Sequence, residues 1–213
     1  MKRTAIYRLM HLSCCLTLVA LMASSAIGQE RGSTAAAPFF RPTPNQKISI
    51  RPVLDLTSNL DVLAAGGSIL VRTPTGVFAT IHGSGFTPGE AVTVWFVVFN
   101  HPEYCAATIC NPSDVATAAT QASALNAGGA IIGPDGNLSF GAYRGFGDTS
   151  RAFVAGPGLI EPFSAQIHLV LRSHGKASSD PVILKSQLSE FFGGCPGGDG
   201  CTDREVSVHQ PEP

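Results

Sequence analysis

Apolar and polar positions alternate at short range along this chain, and turn-forming residues break the alternation every few residues. The stretches Ser68–Thr73, Gly76–His82, Ala91–Asn100, Ala122–Ala127 with Ala130–Ile132, Asn137–Tyr143, Gln166–Arg172 and Glu205–His209 read as strands. Between them, Pro74-Thr75-Gly76, the run Gly83 to Gly89 and Pro134-Asp135-Gly136-Asn137 supply Gly for positive φ and Pro for fixed φ. In Val92–Phe99, Val92, Val94, Phe96 and Val98 share one face, while Thr93, Trp95, Val97 and Phe99 share the other. Both faces are apolar, which predicts a central strand covered on both sides, with Trp95 as a large buried aromatic. Val77–His82 alternates between a drier face (Val77, Ala79, Ile81) and a wetter one (Phe78, Thr80, His82). Helical periodicity is weak everywhere. Asp114–Leu125 has room for a turn or two, and Val182–Phe191 for a short helix or an extended segment. The pattern predicts an all-β antiparallel sandwich, immunoglobulin-like or related, with few short helices.

The ends carry different patterns. A basic head (Lys2, Arg3, Arg8), an apolar run over Leu16–Met22 and small residues up to Gly28 have the layout of an export signal cleaved after Gly28. That apolar run is too short to cross a bilayer as a helix, and no later segment is long and apolar enough. A lipid anchor needs a Cys just after the run, whereas Cys14 and Cys15 precede most of it. Residues 29–52, with Pro38, Pro42, Pro44 and Pro52, read as a flexible Pro/Ala-rich leader, residues 53–209 as a single domain, and residues 210–213 as a tail. The expected location is therefore secreted or periplasmic, with no transmembrane segment.

Removing residues 1–28 changes the chemistry that remains. Every methionine and three of the 14 basic groups leave, while all 15 acidic groups stay, so the formal charge moves from −1 to about −4. Such a balance gives no electrostatic reason to expect nucleic acid or an anionic membrane as partner. Of six cysteines, Cys105, Cys110, Cys195 and Cys201 survive, which in an oxidising compartment read as two disulfides. Three pairings exist. The local ones, Cys105–Cys110 and Cys195–Cys201, are favoured because short Gly-, Pro- or Asn-containing loops close easily, although spacing alone leaves the crossed pairings open.

A run of motifs carries a resemblance. Val94-Trp-Phe-Val-Val-Phe-Asn100 followed by Pro102 and Cys105, then Ile167-His-Leu-Val-Leu-Arg-Ser-His-Gly175, then Gly193-Gly-Cys195 with Cys201, resembles a group of uncharacterised secreted bacterial β-rich proteins with this motif order. The resemblance spans most of the chain after the export signal. It implies a bacterial exported β domain and brings no activity or site residue with it.

Candidate chemistry is thin. Five histidines remain, and His168 and Arg172 share a strand face by parity, with His82 able to approach from a neighbouring strand. A polar or metal patch of His82, His168, Arg172 and His174 follows as a candidate for Cu or Zn. His168 and His174, about 20 Å apart on a straight strand, share an ion only if the chain turns between them. Zinc on the four cysteines is the alternative to disulfides, but their spacings are looser than those of a usual ligand pair. Cys195 to Asp203 places two carboxylates in a Gly-rich loop, a composition that suits Ca without the full EF-hand pattern. Gly83-Ser84-Gly85 lacks the spacing of a nucleophile elbow. Nothing in the spacing of Glu103, Asp114 and Glu161 selects a catalytic carboxylate pair. Asn137-Leu-Ser139 is a formal glycosylation acceptor in a turn that explains Asn137 by itself. The expectation is a non-catalytic exported module, without a cofactor, that binds a protein or polymer partner or an envelope component through its loops. A metal-binding protein or enzyme built on the histidine patch is the alternative.

Overall fold

The computed structural model describes residues 45–212. The export signal, its cleavage point after Gly28 and the leader up to residue 44 lie outside the described residues.

Among the described residues nine strands form: β1 (Lys47–Asp55), β2 (Asp61–Thr73), β3 (Gly76–Gly83), β4 (Glu90–Phe99), β5 (Ala122–Ile131), β6 (Leu138–Gly145), β7 (Ala152–Val154), β8 (Gln166–Lys176) and β9 (Thr202–His209). They join in one sheet of order β6-β3-β2-β1-β9-β8-β4-β5-β7, with antiparallel neighbours throughout. The all-β antiparallel expectation therefore holds. Leu70 of β2 and Ile81 of β3 meet Phe96 of β4 and Leu169 of β8 in one buried cluster. Strands so far apart in the order touch only if the sheet curls, so a single sheet supplies both walls of the core.

The alternation in β4 explains its place. Val92, Val94, Phe96 and Val98 enter the main core, while Trp95 and Phe99 are buried on the opposite face. Hydrogen bonds to β5 on one side and β8 on the other make it a central strand. The β2–β3 hairpin turns through Pro74 and Thr75, and its closing residue is Gly76 (φ +149°), where a Cβ would collide with the Arg144 carbonyl. A short helix α1 (Pro181–Gln187) follows β8. Asp180 caps it by accepting from the Val182 and Ile183 amides, and Pro181 suits its first position. The Ala-rich stretch around and after Asp114 makes two short 3-10 turns, Pro112–Ala116 and Ala118–Thr120, before entering β5.

Two boundaries differ from the sequence reading. Strand β1 begins at Lys47, inside the segment assigned to a flexible leader, because Pro52 sits where the β1–β2 register shifts and so blocks no regular ladder bond. The residues read as a tail are tied down as well. The Glu212 amide donates to the Phe163 carbonyl, and Arg72 donates to the Gln210 carbonyl. Among the described residues, no helix is long and apolar enough to cross a membrane.

Candidate functional site

On the outer face of β4 and β8, alternation places Thr93, Trp95, Val97 and Phe99 beside His168, Val170, Arg172 and His174. Chain segments from elsewhere cover this face. Both local disulfides, Cys105–Cys110 and Cys195–Cys201, are formed. Between the covering segments lies a cavity of about 380 Å³ whose walls include Trp95, Val97, Phe99, Val115, Phe153, Val170 and Phe191, with Asn111, His168 and Asp203 as polar members. Phe153 and Phe191 stack face to face with centroids 4.2 Å apart, and Trp95 meets both edge-on at 6.3 and 5.3 Å. The Arg172 guanidinium lies 3.9 Å from the Phe191 ring centroid.

Hydrogen bonds hold these walls in place. Asp114 accepts from the Ala106 and Asn111 amides, while Asn111 accepts from the Ser113 amide, so each side chain closes the turn for the other. Gln166 then straps the loop to β8. Its Oε1 accepts from the Cys110 amide at 2.7 Å and its Nε2 donates to the Thr108 carbonyl at 2.9 Å. On the other side Arg172 donates to the Phe191 carbonyl at 2.8 Å and to the Asp203 carboxylate at 2.6 Å.

The three candidate histidines differ in their surroundings. His168 Nε2 lies 2.8 Å from Gln166 Oε1, which accepts, so Nε2 carries the proton. Burial pushes its pKa down to about 4, leaving a neutral ring. His174 Nδ1 donates to the Gly193 carbonyl at 2.9 Å, and its Nε2 accepts from the Thr93 hydroxyl, which in turn accepts from Trp95 Nε1. Burial likewise pulls the His174 pKa below its ordinary value. His82 lies elsewhere. It sits on the exposed outer side of β3 against Ser139, four strands from β8 in the sheet order, or about 19 Å along a sheet with strands about 4.8 Å apart. The structure thus keeps His168, Arg172 and His174 on one strand face as parity predicts and removes His82, because β9 and β4 are the neighbours of β8.

Among the described residues, two groups of side chains come close enough to share an ion: His174, Cys195 and Cys201, and Cys105, Cys110 and Asp114. In both, the sulfurs are bonded to each other, so no thiolate is offered. The Nδ1 of His174 that faces Cys201 carries its proton to Gly193 and has no lone pair for a metal. In the Gly-rich loop, Asp203 is held by Arg172, so a calcium ion would have to displace a guanidinium from it.

A second set of buried polar groups escaped the sequence reading. His209, fully buried, accepts from Ser49 at Nδ1 (2.7 Å) and donates from Nε2 to Ser68 (2.8 Å), which passes the chain to Ser207 and on to the Pro52 carbonyl. This Ser–His pair is no nucleophile, since the Ser68 proton points at Ser207 and neither residue reaches solvent. Burial, with the Arg72 and Arg51 charges, pushes the His209 pKa down to about 3. Glu205 is the other case. Its Oε1 accepts from the Ser84 amide, its buried Oε2 has no partner among the described residues, and burial raises its pKa to about 7.

No protein-family model matches the chain, and neither a curated protein nor a solved structure shows significant similarity to it.

Proposed function

We propose that this chain is an exported, non-catalytic binding module that takes up a small apolar molecule in the cavity between its two disulfide-tied loops. The observation that carries the reading is the cavity itself, an aromatic-walled space of about 380 Å³ with a few polar groups, in the size range of small-molecule sites. The cavity is built from loops braced on a sheet, an arrangement that holds a binding surface without reshaping the core. Two disulfides suit an oxidising compartment, in keeping with a secreted or periplasmic location and with the motif resemblance to exported bacterial proteins. The histidine patch supports an enzyme or metal site less well, because His82 stands apart and the ring nitrogens of His174 are both committed.

Trp95 is the chain's single tryptophan and lines the cavity, so its fluorescence reports occupancy. Titration with N-phenyl-1-naphthylamine, a neutral apolar dye, is expected to give saturable one-to-one energy transfer from Trp95. Ala116 is exposed and lines the cavity, so Ala116→Phe places bulk there without overpacking the core. That substitution should weaken dye binding by about tenfold or more, equivalent to about 1.4 kcal/mol, with an unchanged melting temperature. Absence of saturable binding, or equal affinity in Ala116→Phe, overturns the reading.

A further inference from the structure

The polar members of the cavity narrow its ligand further than its apolar walls do. This step rests on the cavity being the binding site. We infer that the ligand is a neutral two-ring aromatic bearing a hydroxyl, whose O–H donates to Nδ1 of His168.

The proton on His168 is placed by its surroundings. Gln166 Oε1 accepts from the Cys110 amide, and Gln166 Nε2 donates to the Thr108 carbonyl, so the amide has one workable orientation. His168 Nε2 faces that acceptor and must donate. On a neutral ring, Nδ1 is then a bare lone pair. It makes no hydrogen bond among the described residues and is not one of their fully buried unpartnered atoms, so it is open on the side where the ring lines the cavity. A ligand that covers this acceptor without a donor buries it unpaired, which is costly, whereas one that brings a donor avoids that cost.

Charge and size supply the other two terms. Asp203 is the cavity's acidic group, and Arg172 neutralises it at 2.6 Å. Arg172 is itself saturated by the Phe191 carbonyl and the Phe191 ring. With no unpaired charge among the described residues that line it, the cavity offers an ammonium or a carboxylate no free counter-charge to offset lost hydration. A cavity of about 150 Å³ holds one benzene ring. The volume here, about 380 Å³, admits two fused rings. The exposed Phe153 and the half-buried Val97, Val115, Val170 and Phe191 give those rings apolar surface to pack against.

Displacement of N-phenyl-1-naphthylamine from the mature protein tests the inference with 2-naphthol and 2-methoxynaphthalene, which share a ring system and differ in the donor. The expected result is displacement by 2-naphthol at about tenfold lower concentration, and loss of that preference in His168→Phe. Equal displacement by the two compounds in the unmodified protein would overturn the donor inference while leaving an apolar binding cavity in place. A preference that survives in His168→Phe would also overturn it, since the hydroxyl would then be received elsewhere. Displacement by neither compound, with no saturable dye binding, would instead sink the cavity reading itself. The comparison in the unmodified protein decides the matter even if His168→Phe folds poorly.

Discussion

Trp95→Ala lowers folding stability by about 3–5 kcal/mol, a drop of about 6–20 °C in melting temperature for a domain of this size. Trp95 is 2% exposed and packs edge-on against Phe153 and Phe191, the residues that close the outer face of β4. Its Nε1 also supplies the Thr93 hydroxyl, which lets that hydroxyl donate to His174. Removing the indole therefore deletes a large apolar contact and leaves a buried hydroxyl short of a donor. Trp95→Phe, which keeps much of the contact and loses the hydrogen bond, should fall between the two. Thermal unfolding followed by far-UV circular dichroism measures all three proteins. A melting temperature for Trp95→Ala within about 2 °C of the parent would show that the outer face is not a second core.

The second large effect is a stability profile with opposing limbs in pH. His168 and His209, with folded pKa values near 4 and 3 against an ordinary 6.5, favour the neutral ring in the fold. Their contribution is complete above pH 6.5 and is lost as pH falls toward those values, on the order of 3 and 5 kcal/mol respectively. Glu205, raised to about 7 from an ordinary 4.5, works the other way. Its protonated form fits the fold, so that stability is complete below pH 4.5 and is lost as pH rises through 7, on the order of 3 kcal/mol. Two histidines outweigh one carboxyl, and net stability should fall steeply from pH 6 to pH 4. Glu205→Gln removes the alkaline limb, making the protein more stable than the parent at pH 8 and not at pH 4. Denaturant midpoints across pH 4–8 test this. A flat profile would mean the buried rings are reached by solvent, and an unchanged alkaline limb in Glu205→Gln would assign it to another group.

Parity along a strand is local information, and what depends on it could be read before any fold was known. The two apolar faces of Val92–Phe99 marked β4 as central and Trp95 as buried, and the two-residue spacing kept His168 and Arg172 together. Strand order is not local. His82 had the right chemistry to join that pair, but nothing in its neighbourhood tells that β2, β1 and β9 intervene. The cavity was hidden for the same reason, since Val115, Phe153 and Phe191 come from separate covering segments, each apolar without a pattern. Strand β1 was masked by its proline, whose cost vanishes at a register shift visible only in the paired structure. Ser49, Ser68 and Ser207 lie in the interior because His209 and the Pro52 carbonyl complete their hydrogen bonds, partners that no local pattern shows.

The strap at Gln166 ties together more than a loop and a strand. The same side-chain nitrogen that holds Thr108 also donates to Gln210 Oε1 at 2.7 Å, and the same oxygen receives His168. Gln210 follows β9 directly, in a stretch anchored by Arg72. One amide is therefore the junction of three cables: the disulfide loop, the cavity floor and the chain beyond β9. A displacement of Gln210 would have to shift or break from the amide that orients the His168 ring.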